Sequence, residues 1–117
     1  CPILDRAYSA LIDDLSDRGM LDDTLLIAMG EFGRTPKISN RAAREHHKDC
    51  YFSIWAGGGI EPGRVIGESD AKAEHPITRP ITPLQVGTTI AELCGIGARK
   101  RAEMKVLDGG SVIHELI

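Results

Sequence analysis

Three side chains in this sequence combine the types and the spacing that chemistry needs: Glu31, Arg34 and His46. Glu31 and Arg34 belong to Gly30-Glu31-Phe32-Gly33-Arg34-Thr35-Pro36, which breaks abruptly from the apolar run Thr24-Leu25-Leu26-Ile27-Ala28-Met29. His46 lies in the polar segment 37–49, just ahead of a second apolar run, Tyr51 to Ala56. A carboxylate and a neutral imidazole suit zinc, manganese and similar divalent ions as ligands. A guanidinium matches the geometry of phosphate or sulfate oxygens. The same residues also allow a plainer arrangement, with Glu31 pairing Arg34 on the surface and His46 solvated in its loop.

Other candidates are weaker. His47 cannot point the same way as His46 in an extended segment, so at most one of the two is a ligand. His75 and His114 are expected at the surface, as lone histidines without partners. Arg41, Arg44 and Lys48 either line an anion pocket or simply keep a loop wet. Ala56-Gly57-Gly58-Gly59-Ile60-Glu61-Pro62-Gly63 looks like a phosphate-cradling loop after a strand. It lacks the helix N-terminus that such a loop needs directly behind it, so it reads as a turn with positive φ angles. No GxSxG elbow is present for Ser/His/Asp catalysis.

The elements that must position these residues follow from hydrophobic periodicity. In residues 3–18, Ile3, Leu4, Ala7, Tyr8, Leu11, Ile12 and Leu15 recur at three- and four-residue steps, an amphipathic helix that Gly19 stops. Asp22-Asp23 turns the chain into a strand over residues 24–29, and residues 51–56 form a second strand. Short apolar runs bounded by turn residues suit a parallel sheet buried on both faces, whose ligands bind beyond the carboxyl ends of the strands. If these two strands are parallel neighbours, segment 37–49 climbs back past the first strand's end and brings His46 toward Glu31.

Arg64 to Gly67 is expected as a short strand and Glu68 to Ile81 as an irregular surface loop. Thr82-Pro83 opens a helix that buries Leu84, Val86, Ile90, Ala91, Leu93 and Cys94 and ends at Gly95. Gly87 and the β-branched Thr88-Thr89 weaken it, so packing must hold it. Residues 98–105 read as basic and solvated, and the tail turns at Gly109-Gly110.

Composition narrows the classes. With 117 residues, 42% of them hydrophobic and 26% charged, the chain is globular in character and amounts to one domain or less. A net charge of -3 and an aromatic content of 4% argue against a nucleic-acid partner. No apolar run approaches the length of a membrane span. Cys1, Cys50 and Cys94 are odd in number and lack CxxC spacing, which argues against a zinc knuckle and a full disulfide framework, though one bridge remains open. The start at Cys1-Pro2 reads as a piece of a longer protein.

Taken together, these motifs resemble the C-terminal part of the bacterial family called domain of unknown function 1501, a sulfatase-like branch of the alkaline phosphatase superfamily. Leu11-Ile12-Asp13-Asp14-Leu15, Arg18-Gly19 and Leu21-Asp22-Asp23-Thr24-Leu25 match in order. So do Met29-Gly30-Glu31-Phe32-Gly33-Arg34-Thr35-Pro36, Arg44-Glu45-His46, Ala56-Gly57-Gly58-Gly59-Ile60, Val65-Ile66-Gly67 and Arg79-Pro80-Ile81-Thr82-Pro83 through Gly95-Ile96.

The resemblance covers nearly all of residues 1–117. It implies a three-layer α/β/α sandwich around a mainly parallel sheet, of which this is a C-terminal fragment. It implies a metal-dependent hydrolase of phosphate or sulfate esters, on a small-molecule or polysaccharide substrate, with a divalent ion (Zn, Ca or Mn) and a nucleophile upstream of this chain. Glu31 and His46 would be metal ligands and Arg34 a substrate contact. Phe32 stands where relatives carry a second ligand, which raises an alternative: an inactive relative that binds a ligand or partner at the cell envelope. By resemblance, the parent protein is periplasmic or secreted, and the fragment alone is inactive.

Overall fold

The computed structural model describes residues 2–117. Helix α1, Pro2–Asp17, follows the expected periodicity. Gly19 closes it with φ 65°, in the left-handed region, while the Met20 N–H reaches back to the Leu15 carbonyl at 2.8 Å. A single 3₁₀ turn, Leu21–Asp23, leads into strand β1, Leu26–Met29. Then come β2, Gly33–Arg34, β3, His46–His47, and β4, Ser53–Ala56. Helices α2, Pro83–Leu93, and α3, Ala98–Met104, complete the described elements.

The mixed α/β character is as expected, but the strand relationship is not. β1 and β4 pair antiparallel, with Leu26 opposite Ala56 and Met29 opposite Ser53. β2 and β3 also pair antiparallel, Gly33 opposite His47 and Arg34 opposite His46. The chain therefore runs out through β1 and β2 and returns through β3 and β4 as one nested hairpin, interrupted around Gly30 and Lys48. The physical reason lies in the connection. A parallel pair needs a crossover, usually a helix, and segment 30–52 has no helical periodicity to supply one. Residues 64–67 likewise form no strand; only an isolated bridge, Ser69 to Pro76, follows them.

Two contacts tie the hairpin's base to the rest. The Tyr8 hydroxyl on α1 is placed for the carbonyls of Leu26 at 3.2 Å and Ile54 at 3.3 Å, one on each strand. Partial burial raises its pKa above the ordinary tyrosine value. Gly57, Gly58 and Gly59 all have positive φ, as expected, and a Cβ on Gly57 would clash with the Leu21 and Thr24 carbonyls. The glycine run is a packing turn beneath β1.

The closely packed part of the molecule lies elsewhere. Gln85, Thr88, Thr89, Arg101 and Ile113 are its buried residues, and Ile113 is the single apolar one. Helix α2 starts as expected, with Thr82 and Gln85 forming a reciprocal capping box behind Pro83. Its buried stripe is Gln85, Thr88 and Thr89; Leu84 and Cys94, expected inside, are exposed, and Val86, Ile90, Ala91 and Leu93 are half-buried. The cause is the C-terminal tail, which lies on the threonine face. Thr89 Oγ1 accepts from the Ile113 N–H at 2.9 Å and donates to the Gln85 carbonyl at 2.8 Å. A Cβ on Gly110 would collide with Thr88 Oγ1, so glycine allows the tail to approach.

Residues 98–105 are exposed as expected, with Arg101 the exception. Arg101 is 7% exposed and donates to the Glu92 carboxylate and to the Ile96 carbonyl. Cys50 and Cys94 are both free thiols, while Cys1 lies outside the described residues.

Candidate functional site

The tip of the nested hairpin carries the candidate site. Gly33 is buried where β2 crosses the return strand, and a Cβ there would meet the Cys50 carbonyl oxygen well inside van der Waals contact. Glycine is what lets the two arms touch at this point. Beyond it, Thr35 and Glu45 knit the arms together. The Thr35 N–H donates to the Glu45 carbonyl at 2.9 Å, and the Glu45 N–H to Thr35 Oγ1 at 3.1 Å. Arg44 closes the end by donating from Nη1 to the Thr35 carbonyl at 2.7 Å and to the Pro36 carbonyl. Arg44 is thus a latch on the Thr35-Pro36 corner rather than a lining residue of an anion pocket.

That scaffold sets which side chains meet. Residues opposite each other on antiparallel strands share a face, so Arg34 and His46 do, and Phe32 lies two residues before Arg34. The Phe32 and His46 ring centroids are 3.7 Å apart, with the ring planes 32° from parallel. The Arg34 guanidinium carbon is 5.3 Å from the Phe32 ring centre, within cation–π range. Arg34 also donates a long hydrogen bond, 3.4 Å, to the Arg44 carbonyl.

Glu31 stands apart. It is exposed, and its carboxylate makes no ion pair with Arg34 or His46. The plain surface pairing of Glu31 with Arg34 is therefore not formed, and Arg34 keeps most of its five donors free. The structure brings His46 to Phe32 and Arg34, and leaves Glu31 at the hinge between β1 and β2.

His47 turns away from His46, as alternation requires. Its Nε2 lies 2.9 Å from the Glu74 carbonyl, so it fastens the hairpin to the 68–77 loop. Next to it, Lys48 and Asp49 pair at 2.6 Å, and His75 Nδ1 sits 4.0 Å from Asp49. The Lys48 hydrogen bond holds the Asp49 carboxyl below the usual aspartate range. Asp70 organises the same loop by accepting from the N–H groups of Lys72, Glu74 and His75, and the Glu74 bond is the main cause of its lowered pKa. Lys48 is accordingly engaged with Asp49 rather than with an anion site.

For a metal, the donor set is the test. Among the described residues no three His, Cys, Asp or Glu side chains are placed to share an ion. Glu31 and His46 supply two ligating side chains, and Phe32 supplies none. This arrangement does not by itself complete a site. What it can do is present a guanidinium and an imidazole side by side, on one exposed face, against an aromatic ring.

Phe32 is the residue whose part is hardest to see in the sequence. The signal is its two-residue offset from Arg34, which places both on one face of an extended segment. Among the described residues no helix is long and apolar enough to cross a membrane. No curated protein and no solved structure matches the chain. A family model does match, over residues 1–117, so the chain belongs to the family described as protein of unknown function (DUF1501).

Proposed function

We propose that this chain is the C-terminal part of a hydrolase of phosphate or sulfate esters, and that the hairpin tip is its oxyanion contact. The observation that carries the reading is the pairing of Arg34 with His46 across β2 and β3, with no carboxylate neutralising Arg34. A guanidinium with free donors binds the nonbridging oxygens of a tetrahedral ester and stabilises charge that grows there. His46, with a ring face against Phe32, offers a ring nitrogen for hydrogen bonding beside the same oxygens. The resemblance to sulfatase-like proteins adds an upstream nucleophile and an exported location for the parent protein.

A divalent ion, zinc, calcium or manganese, belongs to this reading with Glu31 and His46 as two of its ligands. Its further ligands would have to come from outside this chain, and the contacts that Arg34, Phe32 and His46 make with one another do not depend on it. A second reading rests on Phe32, which fills a place where a ligand is expected: the family member binds an anionic ligand or partner at the envelope without turning it over.

A panel of phosphate and sulfate esters offered to the full-length protein separates the two. Hydrolysis is expected, lowered about 100-fold by Arg34→Ala, the usual loss for one oxyanion donor. No turnover of any ester, with inorganic phosphate still bound, supports the binding reading.

A further inference from the structure

We propose that Phe32 is the positioning residue of this site: its ring sets the orientation of the His46 imidazole and gathers Arg34 to the same place. The inference rests on the oxyanion reading and extends it to a residue that carries no polar group. A histidine that binds a ligand is ordinarily oriented through a hydrogen bond to its second ring nitrogen. His46 makes no side-chain hydrogen bond among the described residues, in contrast to His47, whose Nε2 is fixed by the Glu74 carbonyl. Backbone pairing with Arg34 fixes the Cα of His46 but leaves its ring free to turn. The contact that restrains the ring is the stack on Phe32, at 3.7 Å and 32°.

The same ring lies 5.3 Å from the Arg34 guanidinium carbon. An aromatic face carries negative potential, so it attracts the guanidinium. Either side chain alone on an exposed strand samples many rotamers. Gathered on one ring, both point their donors to one side, and an anion meets two donors already in place.

The experiment uses the full-length protein with Phe32→Leu, which removes the ring, and Phe32→Tyr, which keeps it. Two quantities are read: the proton shifts of the His46 ring, and the affinity for inorganic phosphate. Phe32→Leu is expected to move the His46 ring protons downfield, as an imidazole leaving an aromatic face does, and to weaken phosphate binding about two- to five-fold, the size of an exposed cation–π contact. Phe32→Tyr is expected to restore both. The Thr35 and Glu45 amide shifts report whether the hairpin itself has survived each substitution.

Unmoved His46 protons in Phe32→Leu with the hairpin intact overturn the proposal. So do moved protons with phosphate affinity unchanged, which would make the stack a surface contact only. If Phe32→Leu loses the hairpin, Phe32→Tyr decides, because a ring that retains the stack yet weakens phosphate to the level of Arg34→Ala is equally fatal. A wild-type protein that binds no phosphate removes the ester reading and, with it, the anion-gathering role, while the His46 shifts still settle the stacking.

Discussion

The two halves of this molecule hold their shape by different means. In the half built from α2, α3 and the tail, the buried groups are mostly polar and each is satisfied: Thr89 by Gln85 and Ile113, Thr88 by the Leu84 carbonyl, Arg101 by Glu92 and Ile96. In the half built from α1 and the nested hairpin, Gly33 is the one buried residue among those described, and the large apolar residues Ile3 and Phe52 are 87% and 74% exposed. The first half is a small packed unit, and the second is a frame of backbone hydrogen bonds. An isolated two-stranded hairpin is marginal in water, so this frame must borrow stability from its attachments. The lesson is that the candidate site sits on the less buried half, held by a close backbone crossing instead of a core.

Substitutions can break that contrast, beginning with the largest effect. Gly110→Ala forces a methyl onto Thr88 Oγ1 and is expected to cost about 3 kcal/mol of global stability, measured by denaturant unfolding. Gly33→Ala makes an equally severe clash, with the Cys50 carbonyl, but on the frame. Its loss should be local: the Phe32–His46 stack disappears from the spectrum while α2 amides remain protected from exchange. Global unfolding in Gly33→Ala would show that the halves are one cooperative unit.

Thr89→Val comes next. It removes the acceptor for the buried Ile113 N–H and should cost about 1–3 kcal/mol by denaturant midpoint. Arg34→Ala should change stability by no more than about 0.5 kcal/mol, as exposed substitutions do, while weakening phosphate binding. A stability loss well above that would make Arg34 part of the frame.

The smallest effect is one of pH. The Asp70 carboxyl is held below the ordinary aspartate value chiefly by the Glu74 N–H. A carboxylate with a depressed pKa lends stability above its unfolded value and loses it as pH falls through the folded one. Acidification should therefore release the 70–75 loop, seen as shifts of the Glu74 and His75 amides that are absent in Asp70→Asn. Amides that move identically in both proteins would place the acid response elsewhere.

Much of this fold is legible in the residues. The Ile3-to-Leu15 periodicity, the Gly19 stop and the Thr82-Pro83 capping signal each define their element, because each is a local preference that tertiary contacts only reinforce. What misleads is burial. Apolar strands over 24–29 and 51–56 look like the interior of a parallel sheet, yet composition cannot distinguish that from an antiparallel pair whose faces await cover. On α2 the wrong stripe is chosen because Thr88 and Thr89 look like helix weakeners; their hydroxyls bond back to the preceding turn, leaving the methyls to pack.

The site divides the same way. Arg34 and His46 are chosen for their chemistry, and the register brings them together. Glu31, chosen on the same ground, forms no ion pair with either. Which residues meet across the hairpin depends on a one-residue register, a property that no local pattern around Glu31 encodes.

The nested form of the hairpin also dictates an order of events. Arg34 meets His46 across a loop less than half as long as the one Leu26 must close to reach Ala56. Loop-closure entropy grows by about 0.6 kcal/mol per doubling, so the inner pair closes roughly four times more readily before any side chain is counted. The zipper starts at its tip: Arg34 and His46 come face to face before Tyr8 has two strands to hold.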